Sequence, residues 1–122
     1  MNRIRVIWIM LFLSFSLAAE CQSVNCRNLP KTYSSYDVAL NIVKSAKFKF
    51  SESLNTTKSS WISGATYLSC DGQFGYLIII IGVKEYIHAD VPFLIWDEFK
   101  NADSFGSYYN KNLRGRYRFN LN

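Results

Sequence analysis

Hydrophobic and polar positions follow one another along this chain in patterns that predict short elements, and the clearest lie between Asp71 and Phe119. Phe74 to Ile81 and Glu85 to Val91 are rich in aromatic and β-branched residues and are bounded by Asp71-Gly72 and Gly82, which predicts two strands joined by tight turns. Leu77 to Ile81 is apolar on both faces, so it belongs in the middle of a sheet, paired on both edges and covered by helices on at least one face. Trp61 to Cys70 predicts the preceding strand, with Trp61, Ala65 and Tyr67 on one face and Ile62, Gly64 and Leu68 on the other.

Helical spacing takes over after Pro92. A proline suits a first helical position, and Ile95, Phe99 and Ala102 recur on one helical face with Trp96 alongside. Ser104 is placed to cap a second helix running through Tyr109 to Leu113, which Gly115 ends. Tyr117, Phe119 and Leu121 then alternate with Arg116, Arg118 and Asn120, a strand signature that returns the chain end to the sheet. Upstream, Ser34 with Asp37 approximates a capping box, and Tyr36, Ala39, Leu40 and Val43 share one face of a helix over 34–46. Phe48 and Phe50 alternate with Lys47 and Lys49 as in a half-exposed strand, and the polar run Ser51 to Ser60 reads as a loop. Within that loop Asn55-Thr56-Thr57 fits a glycosylation acceptor only formally. The expected class is α+β, a small mainly antiparallel sheet with helices packed on one face.

The first residues change the picture of charge and compartment. Arg3 and Arg5, the apolar run Val6 to Phe15 and the small residues Ser16, Ala18 and Ala19 read as a secretory signal peptide over 1–19, since the run is shorter than the roughly 20 residues of a membrane span. The mature protein then has no transmembrane segment and is exported, to the periplasm or beyond. Losing Arg3 and Arg5 leaves twelve basic against nine acidic side chains and lowers the formal charge from +5 to +3, a mild excess and a weak pointer to nucleic acid. What remains is one compact domain of modest size, residues 20–58 packing with 59–122.

Export places Cys21, Cys26 and Cys70 in an oxidising compartment that favours pairing. Cys70 ends a strand beside the Asp71-Gly72 turn and Cys26 lies in the lead-in, so a Cys26–Cys70 bridge would tie the lead-in to the sheet; Cys21 with Cys26, Cys21 with Cys70, and no bridge are the alternatives. Leu17-Ala18-Ala19-Glu20-Cys21 has the look of a lipid-attachment site, but Glu20 stands where a small residue is expected. No metal-ligand spacing is present and no cofactor is implied, because His88 alone does not complete a ligand set with these cysteines.

Several of these residues together resemble the KTSC domain, a segment found at the C-terminus of some lysyl-tRNA synthetases and as a stand-alone bacterial domain. The resemblance rests on Ser59-Ser60-Trp61-Ile62, Tyr67, Tyr86, Val91-Pro92, Trp96, Phe99, Ala102, Ser104, Gly106, Tyr109-Asn110, Leu113-Arg114 and Tyr117. It runs from Ser59 to about Arg118, and the family's central Tyr-x-Tyr stands here as Tyr86-Ile87-His88. The resemblance implies an α+β domain and leaves function open, with RNA binding suggested only by the synthetase association.

Two constellations are candidates for binding. On the strand Glu85 to Val91, strict alternation places Tyr86, His88 and Asp90 on one face and Ile87, Ala89 and Val91 on the other, so the polar face is either an ordinary solvent-facing side or a ligand surface. The C-terminal run Lys111, Arg114, Arg116 and Arg118, interleaved with Tyr108, Tyr109, Tyr117 and Phe119, is either a phosphate- and base-binding surface or a solvated face partnered by Asp97, Glu98 or Asp103. No motif fixes a nucleophile beside His88, which speaks against an enzyme. The reading is a non-catalytic interaction module for a protein or envelope polymer, with nucleic-acid binding as the alternative.

Overall fold

The structure, a computed structural model, describes residues 24–118 and 120–121. The predicted signal peptide, the lipid-attachment question, Cys21 and Phe119 lie outside the described residues. The elements in order are β1 (Thr32–Tyr33), α1 (Tyr36–Ser45), β2 (Phe50–Leu54), β3 (Ile62–Ser69), β4 (Phe74–Ile81), β5 (Lys84–Pro92), α2 (Phe93–Lys100), α3 (Phe105–Tyr108), a π-helical turn (Tyr109–Leu113) and β6 (Asn120–Leu121).

β2, β3, β4 and β5 form an antiparallel meander in chain order. Its turns lie where expected. Gly72 at φ 78° and Gly82 at φ 64° supply the left-handed backbone that tight turns require. Asp71 Oδ1 accepts from the amides of Gln73 at 2.8 Å and Phe74 at 3.0 Å, and these bonds, that of Phe74 foremost, hold its carboxyl below the usual carboxylate range. The chain is α+β, with helices on both faces rather than one. β4 turns Leu77 and Ile79 to a core shared with Trp96, Phe99 and Leu113, and turns Ile78 to a second core with Ala39 and Val43 of α1. A central strand apolar on both sides leaves water-exposed hydrocarbon unless both faces are covered, and α1 supplies the second cover.

Four elements differ from the pattern reading. α1 is capped by Ser35, whose Oγ accepts from the Val38 amide at 3.2 Å, rather than by Ser34. β2 takes in Ser51 to Leu54, which read as loop. It is an edge strand with one side in water, so its polar residues incur no burial, and Ser53 and Thr66 pair hydroxyls across the strands at 3.0 Å. Phe48 instead joins the α1-side core, edge-on to Tyr76 at 6.0 Å. In β3 a register irregularity between Ile62 and Gly64 turns Ile62 to the same core as Ala65 and Tyr67. The chain end does not return to the large sheet: β6 pairs in parallel with β1 in a separate two-stranded sheet.

The irregularity that matters for function lies in β5. Gly75 pairs with Val91 and Leu77 with His88, so Ala89 and Asp90 fall where β4 has only Tyr76. Asp90 takes up the extra residue at φ 53°. Strict alternation therefore fails: Val91 returns to the core face that His88 also addresses, and Asp90 is displaced to the exposed side. Tyr67 donates its hydroxyl to the Val91 carbonyl at 2.8 Å, and burial pushes its phenol up to about 12.

Cys26 and Cys70 are joined in a disulfide with their Cα atoms 5.8 Å apart, which fastens the lead-in beside the Asp71 turn as expected. Among the described residues no helix is long and apolar enough to cross a membrane.

Candidate functional site

β5 is an edge strand, and three of its outward main-chain groups are engaged. The Tyr36 hydroxyl of α1 donates to the Glu85 carbonyl at 3.1 Å and accepts from the Ile87 amide. The Ala89 amide donates to the Tyr117 carbonyl at 2.8 Å. The second of these contacts exists because the chain reverses after the π-helical turn. Ser104 caps α3 by accepting from Ser107 N at 3.2 Å, Arg114 N bonds the Tyr109 carbonyl at 2.9 Å, and Gly115 at φ 74° turns the segment back along β5. Gly106 permits this path: a Cβ there would meet the Trp61 indole at 2.4 Å, closer than any side chain tolerates.

Between the strap and the strand lies a cavity of about 590 Å³. Trp61, Tyr86, His88 and Tyr109 contribute rings to it, and Arg114, Arg116 and Arg118 contribute cations. A wider hollow of about 700 Å³ along Asn55 to Ser63 is lined by no ionisable side chain and holds no comparable chemistry. The two constellations that stood apart in sequence thus meet at one place.

His88 is 7% exposed, with its ring edge-on to Tyr109 at 5.6 Å between centroids. Its Nδ1 lies 3.3 Å from the Arg116 carbonyl. A carbonyl oxygen only accepts, so this bond requires the proton on Nδ1, and the neutral ring then carries its lone pair on Nε2. Nε2 is buried and has no hydrogen-bond partner among the described residues. Burial holds the imidazole below its ordinary 6.5, and the Arg116 carbonyl, which favours the charged form, offsets only part of that.

The three arginines are exposed and, among the described residues, have no carboxylate partner. The partners that the sequence offered are engaged elsewhere or do not reach them. Asp97 lies 3.9 Å from Lys100, and Glu98 accepts from the Tyr108 hydroxyl at 2.7 Å. Arg118 folds back toward Gly115, its Nη2 3.8 Å from where a Cβ on that glycine would be.

Tyr86, His88, Arg114, Arg116 and Arg118 therefore line one site. Asp90, Lys111 and Tyr117 do not. The bulge sends Asp90 to a hollow beside Cys26 and Cys70 that shares only Arg118 with the cavity, so no His88–Asp90 pair forms. Lys111 points outward from the π-helical turn, and Tyr117, at φ 55°, packs half-buried against the α2-side core and contributes its carbonyl to β5. Sequence reasoning placed Trp61 and Tyr36 on apolar faces and missed them as cavity walls, while Tyr109, named among the rings of the basic C-terminal run, does line the cavity. The small residue at Gly106, three before Tyr109, is the one local signal that a large ring lies against that helix.

Residues 82–117 match the family model of the KTSC domain. The KTSC match takes in β5, α2, α3, the π-helical turn, Arg114 and Arg116, and stops short of Arg118. The parts of the resemblance at Ser59 to Ile62 and at Tyr67, and with them the Trp61 wall, fall outside it. No curated protein and no solved structure matches the chain. Among the described residues no group of three metal-ligating side chains comes together.

Proposed function

We propose that this KTSC-containing chain is an exported, non-catalytic binding module that holds a protein or envelope polymer in the cavity beside β5. The observation that carries the reading is the convergence at one cavity of ligand size of three arginines that have no carboxylate partner among the described residues, beside the rings of Trp61, Tyr86 and His88. The Cys26–Cys70 bridge supports export, since such bridges persist in oxidising compartments. A binding rather than catalytic role is supported by the surroundings of His88, whose Nδ1 faces a main-chain carbonyl while Asp90 is turned away.

Affinity capture from the native envelope tests the reading. Wild-type protein should retain a partner that Tyr86→Ala and Arg114→Ala release, with melting temperatures close to wild type because both side chains are at least partly exposed. Equal capture by all three proteins would remove the cavity from the function. Nucleic-acid binding is the second reading, favoured by the arginines beside Trp61 and Tyr86. It requires an affinity that falls steeply as salt rises, through release of counterions.

A further inference from the structure

On the premise that the binding reading above is right, the balance of charge around the cavity narrows what fills it. Three guanidiniums line the space and no carboxylate does. Both carboxylates of β5 itself are led away: Glu85 is held by the Lys44 ammonium of α1 at 2.8 Å, and the bulge turns Asp90 to the hollow beside Cys26 and Cys70. That hollow shares Arg118, whereas Arg114 and Arg116 have no carboxylate partner among the described residues. Like charges gathered at one recess repel one another, and an anion entering it relieves that cost.

Arg114 and Arg116 start from fixed backbone. The Arg114 amide donates to the Tyr109 carbonyl at 2.9 Å, the Arg116 amide donates to the Leu113 carbonyl at 3.0 Å, and Gly115 between them is at φ 74°. Arg114 lies close to the ring wall, for burial pushes the Tyr109 phenol up and the charge of Arg114 draws it part of the way back. Trp61, edge-on to Tyr109 at 5.9 Å, continues that wall with Ile81. Apolar walls lower the local dielectric, so an ion pair formed beside them is stronger than one on open surface. A nucleic-acid strand needs a row of open ring faces for its bases. Here Tyr109 and His88 are buried and the Lys84 ammonium sits 5.2 Å over the Tyr86 ring, which leaves Trp61 as the most exposed ring. A volume of about 590 Å³ suits a compact ligand.

We infer that Arg114 and Arg116 bind the terminal oxyanion of a compact ligand, a phosphate monoester or a carboxylate, whose body rests against Trp61. Guanidinium forks suit the two groups alike, so the oxyanion is the shared chemistry and experiment separates its forms.

The purified protein would be titrated with phenyl phosphate, benzoate, phenol, inorganic phosphate and a short oligouridylate without a terminal phosphate. Calorimetry would be followed together with the side-chain N–H resonances of Arg114, Arg116 and Trp61. Phenyl phosphate or benzoate should bind at least about tenfold more tightly than phenol and should move all three resonances; the tighter of the two assigns the anion. Arg114→Ala with Arg116→Ala should weaken that binding by about tenfold or more. Lys111→Ala, which removes a cation of the same segment outside the cavity, should weaken it by less than about twofold. All three side chains are exposed, so both variants should melt close to wild type. Phenol or inorganic phosphate binding as tightly as the organic anions would overturn the inference. Equal losses from Lys111→Ala and from the arginine pair would overturn it too, as would tighter binding of oligouridylate. If no anion binds while Arg114→Ala still releases the envelope partner, the oxyanion assignment fails and the binding module stands. If neither occurs, both fail.

Discussion

The two edges of the sheet solve the same problem in opposite ways. An edge strand presents a row of unpaired amides and carbonyls that invites further pairing. β2 leaves its outer row to water and is short and polar, and α2 fastens it from the core side: Glu52 accepts from the Trp96 indole at 3.1 Å and from the Lys100 ammonium at 2.9 Å. β5 is instead closed by a tyrosine hydroxyl and a main-chain carbonyl, and the segment that closes it carries the arginines. Closing an edge with a separate strap leaves space between strap and strand. The cavity beside β5 is thus a consequence of how that edge is protected, whereas the hollow of about 620 Å³ beside β2 mixes Lys49 with the carboxylates of Glu52 and Asp71 and gathers no arginines.

Experiments that weaken one edge and spare the other sharpen the contrast. The largest effect is expected from Cys26→Ser with Cys70→Ser, since loss of a native bridge from a small domain costs about 2–5 kcal/mol. The bridge holds the lead-in that carries β1, which pairs with β6, so amide exchange should accelerate at Thr32, Tyr33 and Ala89 before it does in β2. Faster exchange in β2 first would break the comparison. Tyr36→Phe removes the hydroxyl serving Glu85 and Ile87 and should cost about 1–3 kcal/mol, with the Ile87 amide exposed to exchange.

Acid should address the edges in separate windows. His88 is held below 6.5 when folded, so between that value and its folded value the unfolded chain binds a proton that the native state refuses. This contribution is complete above about pH 6.5 and is lost as pH falls, with a slope of at most about 1.4 kcal/mol per unit. His88→Phe should flatten the stability curve there; an unchanged slope would show that the imidazole is not buried. The smallest effect belongs to β2. Glu52 is held below its ordinary 4.5 by the Trp96 indole first and Lys100 second, so its contribution is present above that value and lost as pH falls through the lowered one. With its side chain 49% exposed, Glu52→Gln should change the melting point by the equivalent of about 0.2–1 kcal/mol. An effect as large as that of Tyr36→Phe would mean that β2 is guarded as closely as β5.

The parts of the fold that burial decides were legible. Phe74 to Ile81 is read from its continuous apolar run with the same bounds the strand has, and Ser104 and Gly115 mark the ends they were expected to mark. What was not legible depends on partners distant in sequence. Ser51 to Leu54 carry no apolar alternation because one side of an edge strand needs none. The bulge at Asp90 has no glycine to announce it, and it shifts the alternation after Ala89, so Val91 was grouped with Ile87 and Ala89 and Asp90 with the imidazole. The candidate side chains were half identified: five of the eight line the cavity, but their convergence depends on the path of the chain past Gly115, and Trp61 was hidden by resembling an ordinary core residue.

The pairing of Thr32–Tyr33 with Asn120–Leu121 has a consequence for the order in which the molecule is built. It joins segments at opposite ends of the described chain, and contacts that close so long a loop form after local ones because their entropy must be met first. The hairpins of the meander and α1 draw on neighbouring residues and can assemble early. The strap follows the meander and α1 in the described chain and can be laid along β5 only once β5 and the π-helical turn are in place. Until that moment Ala89 lacks its acceptor and the arginines have no wall to stand on, so the cavity closes in one step when the strap docks rather than growing with the sheet.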